Sequence, residues 1–122
     1  MKFSLDQSNE TLVIRGYGPG EVMVGPHTYR QSLLVTPTGV VPDWAPQAVA
    51  QITAEHLSGI LGYAPELLVL GTGERQTFPE PSLFAELMAA GVGFEVMDTA
   101  AACRTYNILL GEGRRVVAAL LL

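Results

Sequence analysis

The chain has 122 residues, 48% of them apolar and 16% charged, so it is long enough to bury one core and too apolar to stay disordered. A formal charge of −5, a pI of about 4.8 and only seven Lys and Arg, with Arg114-Arg115 their sole adjacent pair, exclude a binder of nucleic-acid phosphates. A single cysteine, Cys103, excludes an internal disulfide and a cysteine-based zinc site.

In chain order, the opening MKFSLDQSNE has neither the apolar core of a signal peptide nor the look of a mitochondrial presequence. TLVIRGYG (11–18) and EVMVG (21–25) flank Gly18-Pro19-Gly20 and read as a β-hairpin. QSLLVTP (31–37) reads as another strand, closed by the turn Thr36-Pro37-Thr38-Gly39. Prolines at 37, 42 and 46 interrupt any period across 40–52, and no element is assigned there. Trp44, in that segment, reads as a plug at the core edge. Thr53 caps a short helix with Leu57, Ile60 and Leu61 on one face and Gly62 past its end. His56 falls on the polar side of this helix beside Glu55 and reads as a solvated residue. His27 and His56 are far apart, and neither has a ligand or base partner nearby in sequence.

ELLVLG (66–71) is a continuous apolar strand. Pro81-Ser82 opens a second helix, with Leu83, Phe84, Leu87 and Met88 on a broad apolar arc and Gly91 as its stop. GFEVM (93–97) is the next strand. Asp98 caps a third helix whose stripe is Ala102, Tyr106, Leu109 and Leu110, with Cys103 at its edge as a small core residue. RRVVAALLL (114–122) ends the chain as a strand apolar enough to lie inside the sheet. Its run 116–122 is the longest apolar one, far short of the roughly 20 residues of a membrane helix.

Alternation of helix and strand in the second half predicts a three-layer α/β fold for one domain, 1–122, with a mixed central sheet and the N-terminal hairpin at one side. Strands 67–71 and 93–97 should run parallel, as neighbours or one strand apart.

The stretch LLVLGTGERQTF (67–78) resembles a phosphate-binding turn at first sight. It lacks the third glycine of a dinucleotide fingerprint, has no lysine, and its helix begins several residues late, so nucleotides should not bind. Glu74 would repel a phosphate; Arg75 is the counter-charge available to a small anion at the Thr72–Glu74 N–H groups. The structural reading, a tight turn, is preferred. Because ligands of open α/β sheets gather at the carboxyl ends of strands, a candidate cleft is Gly71, Thr72, Gly73, Arg75, Asp98 and Thr99. Asp98 has its own explanation as a helix cap. On the third helix, 100° per residue sets Ala101, Arg104 and Ile108 opposite the stripe. Arg104 and Ile108 form a candidate interaction face unless segment 37–52 covers Ile108.

LLVLGTG, then GVGFEVMDTAAACRTYNILLGEGRRVVAAL, with the earlier LLVTPTGVVPDW, make about three quarters of the chain similar to a known family. They resemble the small domain-of-unknown-function family that includes the mitochondrial complex I assembly factor and many bacterial proteins. The resemblance implies a three-layer α/β domain with a mixed sheet and no established reaction, hence no catalytic residue to carry over. For the assembly factor it implies binding to other proteins while a respiratory complex is built. The motif residues also have structural readings: Ala100, Ala101 and Ala102 for close helix packing, Asn107 as a tie to adjacent backbone, Glu112-Gly113 as a helix end.

The resulting expectation is a cytoplasmic protein-interaction or assembly module with a protein partner. No catalysis, cofactor, metal, nucleic acid or membrane insertion is expected. The alternative is a small-molecule or anion binder, or an enzyme, using the cleft at Gly71–Gly73 and Asp98.

Overall fold

The computed structural model describes residues 12–122. The reading of MKFSLDQSNE, and the start of the first strand at 11, lie outside the described residues. Strands β1 (Ile14–Gly18), β2 (Glu21–Val24) and β3 (His27–Tyr29) form a small antiparallel sheet in that order. Strands β4 (Leu33–Thr36), β5 (Gly39–Val41), β6 (Leu67–Thr72), β7 (Gly93–Met97) and β8 (Val116–Leu121) form a second sheet, ordered β5-β4-β8-β6-β7. It is mixed: β4 is antiparallel to β5 and β8, while β6 is parallel to β7 and β8. Strands β6 and β7 are direct neighbours, with Leu67 opposite Gly93 and Gly71 opposite Met97.

The last strand of the sequence is therefore the middle strand of the sheet, which explains its composition. All six residues of β8 are buried, so both faces must be apolar. Successive side chains point to opposite faces. Val117, Ala119 and Leu121 join Leu34, Leu68 and Leu70 on one face, where Trp44, Ile52, Leu57, Ile60, Phe84 and Leu87 cover them. Val116, Ala118 and Leu120 join Leu33, Val35, Leu67 and Val69 on the other. There the cover comes from Ala102, Cys103 and Tyr106 of a long helix and from Ile14, Val22 and Val24 of the small sheet. The helices are α1 (Ala54–Ser58), α2 (Ala85–Ala89) and α3 (Thr99–Gly111).

Asn107 fixes the small sheet to α3. Its Nδ2 donates to the Ile14 carbonyl at 2.8 Å, and its Oδ1 accepts the Ile14 N–H at 2.9 Å. The carboxamide thus offers edge strand β1 the donor and acceptor that a further strand would have offered. The buried Tyr106 hydroxyl adds a bond to the Leu12 carbonyl at 2.9 Å.

Several local expectations need correction. The helix after Thr53 tightens into a 3₁₀ segment, Gly59–Tyr63, and ends at Ala64, whose φ of 52° is left-handed, rather than at Gly62. The second helix opens as a 3₁₀ turn, Pro81–Phe84. A 3₁₀ turn advances about 120° per residue, so the four apolar positions do not keep one α-helical arc. Phe84 and Leu87 are buried, and Met88 is 64% exposed. The unassigned 40–52 segment supplies the end of hairpin strand β5, the buried Trp44 and a 3₁₀ turn at Val49–Gln51. Strand β3 had no sequence expectation; it is three residues long and has no buried residue.

His56 is not simply solvated. It is half-buried, its ring meets that of Trp44 edge-on at 6.0 Å, and its Nδ1 accepts the Thr53 N–H at 3.0 Å. The Thr53 Oγ1 accepts the His56 N–H at 3.2 Å, which closes a capping box with histidine in the place usually held by Glu or Gln.

Candidate functional site

The Gly71-Thr72-Gly73 turn sits where β6 ends and α3 begins. A Cβ on Gly71 would lie 2.9 Å from Thr99 Oγ1 and 3.0 Å from both Thr99 Cα and Ala102 Cβ. Glycine is there so that α3 can pass close over the strand. The buried Thr72 donates through its hydroxyl to the Arg75 carbonyl, and the same oxygen accepts the Thr77 N–H at 3.0 Å. Gly73, at φ +94°, donates its N–H to Thr99 Oγ1 at 2.7 Å, and that hydroxyl donates to the Leu121 carbonyl at 2.6 Å. In return the Thr99 N–H donates to the Gly73 carbonyl at 2.9 Å. The Thr72 hydroxyl also lies 3.2 Å from the Met97 carbonyl, so the ends of β6, β7 and β8 and the start of α3 meet at two threonine hydroxyls.

Asp98 caps α3: its Oδ1 accepts the Ala101 N–H at 2.9 Å, and its carbonyl accepts the Ala102 N–H at 2.9 Å. Of the six cleft residues read from the sequence, Gly71, Thr72, Gly73, Asp98 and Thr99 come together. Arg75 joins them only through its backbone carbonyl; its side chain is exposed.

Beside this turn lies a cavity of about 310 Å³. Gly73, Asp98 and Thr99 line it, but Gly71, Thr72 and Arg75 do not. Sequence reasoning missed its other walls, chiefly Tyr17 and Pro19 of the hairpin and Leu121 and Leu122 at the end of the central strand. The only signal available was the Gly18-Pro19-Gly20 turn itself; nothing in the sequence links position 19 to position 122. Its charged lining is acidic, Glu74 and Asp98, with no Lys or Arg among the described residues that line it.

On the outer side of α3, Arg104 is exposed and donates from Nη1 to the Tyr17 hydroxyl at 3.0 Å. That bond, and then the charge of Asp98, raise the already high guanidinium pKa. Ile108, one turn on, is 63% exposed, whereas Ala101 is half-buried. Segment 37–52 leaves Ile108 exposed: Trp44 and Ile52 pack on the far face of the sheet, and Val40, which packs on the near face, does not cover it. Facing inward, Cys103 has its thiol pushed up to about 12 by burial, and burial likewise raises the Tyr106 phenol. No group of three or more His, Cys, Asp or Glu among the described residues is placed to hold a metal ion. No helix among them is long and apolar enough to cross a membrane.

This arrangement, a mixed sheet with helices on one face and a helix plus a small sheet on the other, defines a small three-layer α/β protein. The family model described as "Protein of unknown function (DUF498/DUF598)" matches residues 14–121, and the chain belongs to that family. It is 40% identical over 110 residues to an uncharacterized protein of Rhodobacter capsulatus, covering 90% of this chain and 84% of that one. It is 37% identical over 68 residues to a Francisella tularensis protein named 13 kDa major membrane protein, with 56% and 55% of the two chains covered. It is 38% identical over 94 residues to NADH dehydrogenase [ubiquinone] 1 alpha subcomplex assembly factor 3 of Xenopus tropicalis, covering 72% of this chain and 51% of that protein. The chain thus spans about half the length of that relative. A crystal structure of a Bordetella parapertussis protein superposes with a TM-score of 0.84 at 46% identity, covering 89% of this chain and 93% of that one.

Proposed function

We propose that this chain is a protein-interaction module that helps assemble a larger complex and catalyses no reaction. The observation that carries the reading is Ile108, a large aliphatic side chain 63% exposed on α3. It stands one turn beyond Arg104, which Tyr17 holds by its hydroxyl. Apolar and arginine contacts supply much of the energy of protein interfaces. The assembly-factor name of one relative supports the same reading and suggests subunits of a respiratory complex as the kind of partner. The hydroxyls and N–H groups around Gly71–Gly73 are bonded to one another, which fits a structural turn better than a reacting centre.

The test is Ile108→Asp in the full chain. Exposed substitutions usually cost under ~0.5 kcal/mol, so melting should hardly move. Capture of the protein that co-purifies with the wild type from its own cells should be lost. Capture that survives the substitution would remove this face of α3 from the interface.

A further inference from the structure

We propose that the cavity between the Gly18-Pro19-Gly20 turn, the Gly73-Glu74 loop and the start of α3 receives a lysine side chain of a partner protein. The proposal deepens the interaction reading above and rests on it.

Charge comes first. Glu74 and Asp98 line the cavity, no cationic side chain does so among the described residues, and the whole chain carries −5. Asp98 has part of its charge answered by the α3 N-terminus, through the Ala101 N–H, and by Arg104 nearby. Glu74 is exposed and makes no ion pair among the described residues. An anion would meet both carboxylates. Of the N–H groups in the first turn, those of Thr99, Ala101 and Ala102 are already bonded within the chain, which leaves an anion the Ala100 N–H alone. The cavity therefore suits a cation.

Shape narrows the cation. Pro19, Leu121, Leu122 and the Tyr17 ring give the walls an apolar character, which suits an aliphatic stem with a charged head. A volume of about 310 Å³ is at the small end for a ligand site, so one side chain fits better than a cofactor. Two separate carboxylates, one with an oxygen already engaged, favour a compact ammonium. The planar fork of arginine wants a free bidentate partner. Position then points to a protein as the source. Tyr17 lines the cavity and also holds Arg104, one turn from Ile108, so a partner seated on the outer face of α3 lies next to the opening.

The probe is a blocked Gly-Lys-Gly peptide, titrated into isotopically labelled full-length protein and followed by amide chemical shifts. The Gly73, Thr99 and Leu122 amides should shift and saturate, and added salt should weaken the effect. Matching peptides with norleucine or glutamate in place of lysine should leave these amides still. Glu74→Gln should weaken the lysine peptide roughly two- to fivefold, as expected for one partly exposed charge pair. Asp98→Asn, which keeps the helix cap, should weaken it less. An equal response to the glutamate peptide, or none to the lysine peptide, overturns the proposal. Saturation by n-butylamine at lower concentration than the peptide would assign the cavity to a free amine and overturn the protein source. If the peptide fails while Ile108→Asp still abolishes capture, the cavity assignment falls and the interaction reading stands.

Discussion

Gly71 and Cys103 act through what surrounds them more than through their own chemistry. Gly71 lies under α3, where an added methyl would come within 3.0 Å of Thr99 and Ala102. Two of those three contacts are with atoms that cannot swing aside, a backbone Cα and a Cβ. Gly71→Ala should therefore destabilise by about 1–3 kcal/mol, the usual cost of overpacking, read as a lower denaturant midpoint. Gly62→Ala is its control, since a Cβ there meets nothing within 4 Å. It should be neutral or stabilise by up to about 1 kcal/mol through the unfolded state. Equal effects at the two sites would mean that α3 yields readily. Cys103 supplies a pH test. Burial raises its thiol from 9.0 to about 12, so the folded state holds the proton that the unfolded chain releases earlier. With the folded pKa raised, this contribution is whole below pH 9 and is lost as pH climbs through about 12. Denaturation of Cys103→Ala across that window should fall less steeply than wild type, by about 1.4 kcal/mol per pH unit. Identical slopes would mean that the thiol ionises freely in the folded protein.

At the scale of elements, the join between β1 and α3 rests on one carboxamide. Asn107 satisfies both the N–H and the C=O of Ile14. Asn107→Ala would leave that pair unmet at a half-buried site and should cost about 1–3 kcal/mol. Hydrogen exchange should quicken at the Ile14 amide far more than at Val69 in the central sheet. A cost under ~0.5 kcal/mol with unchanged exchange would show β1 to be held by burial alone. The sequence placed Asn107 at the border of the stripe as a tie to backbone, and could say so because helical periodicity is local. Strands 67–71 and 93–97 and the Asp98 cap were legible for the same reason: a continuous apolar run, a helix between, and a capping residue at a boundary. What was not legible depends on distant chain. Met88 emerges because the preceding turn is 3₁₀, and His56 pairs with a threonine that looked like a cap for other reasons. One wall of the cavity comes from a hairpin whose approach to Leu121 and Leu122 no local pattern encodes.

For the whole molecule, the order in which the chain is written and the order in which the sheet is built differ. Strand β8 is last in sequence and central in space: Leu34 meets Ala119 on its antiparallel side and Leu68 meets Val117 on its parallel side. Its alternate residues enter the cores on both faces of the sheet. Until β8 is present, β4 and β6 have no shared neighbour and each face lacks three buried side chains at its middle. Such non-local pairing is slow, on the order of milliseconds to seconds in small domains, because long loops must close before contacts repay them. A chain ended after Gly113 should therefore lack a cooperative thermal transition, although β1 to β7, α1, α2 and α3 are all encoded in it. Removing only Leu122, which is half-buried and follows the strand, should leave the transition in place. Calorimetry of the two truncations decides the matter. A sharp transition in the shorter chain would mean that β4 and β6 can close the sheet without their central strand, and that the apolar run 116–122 is there for a reason other than burial.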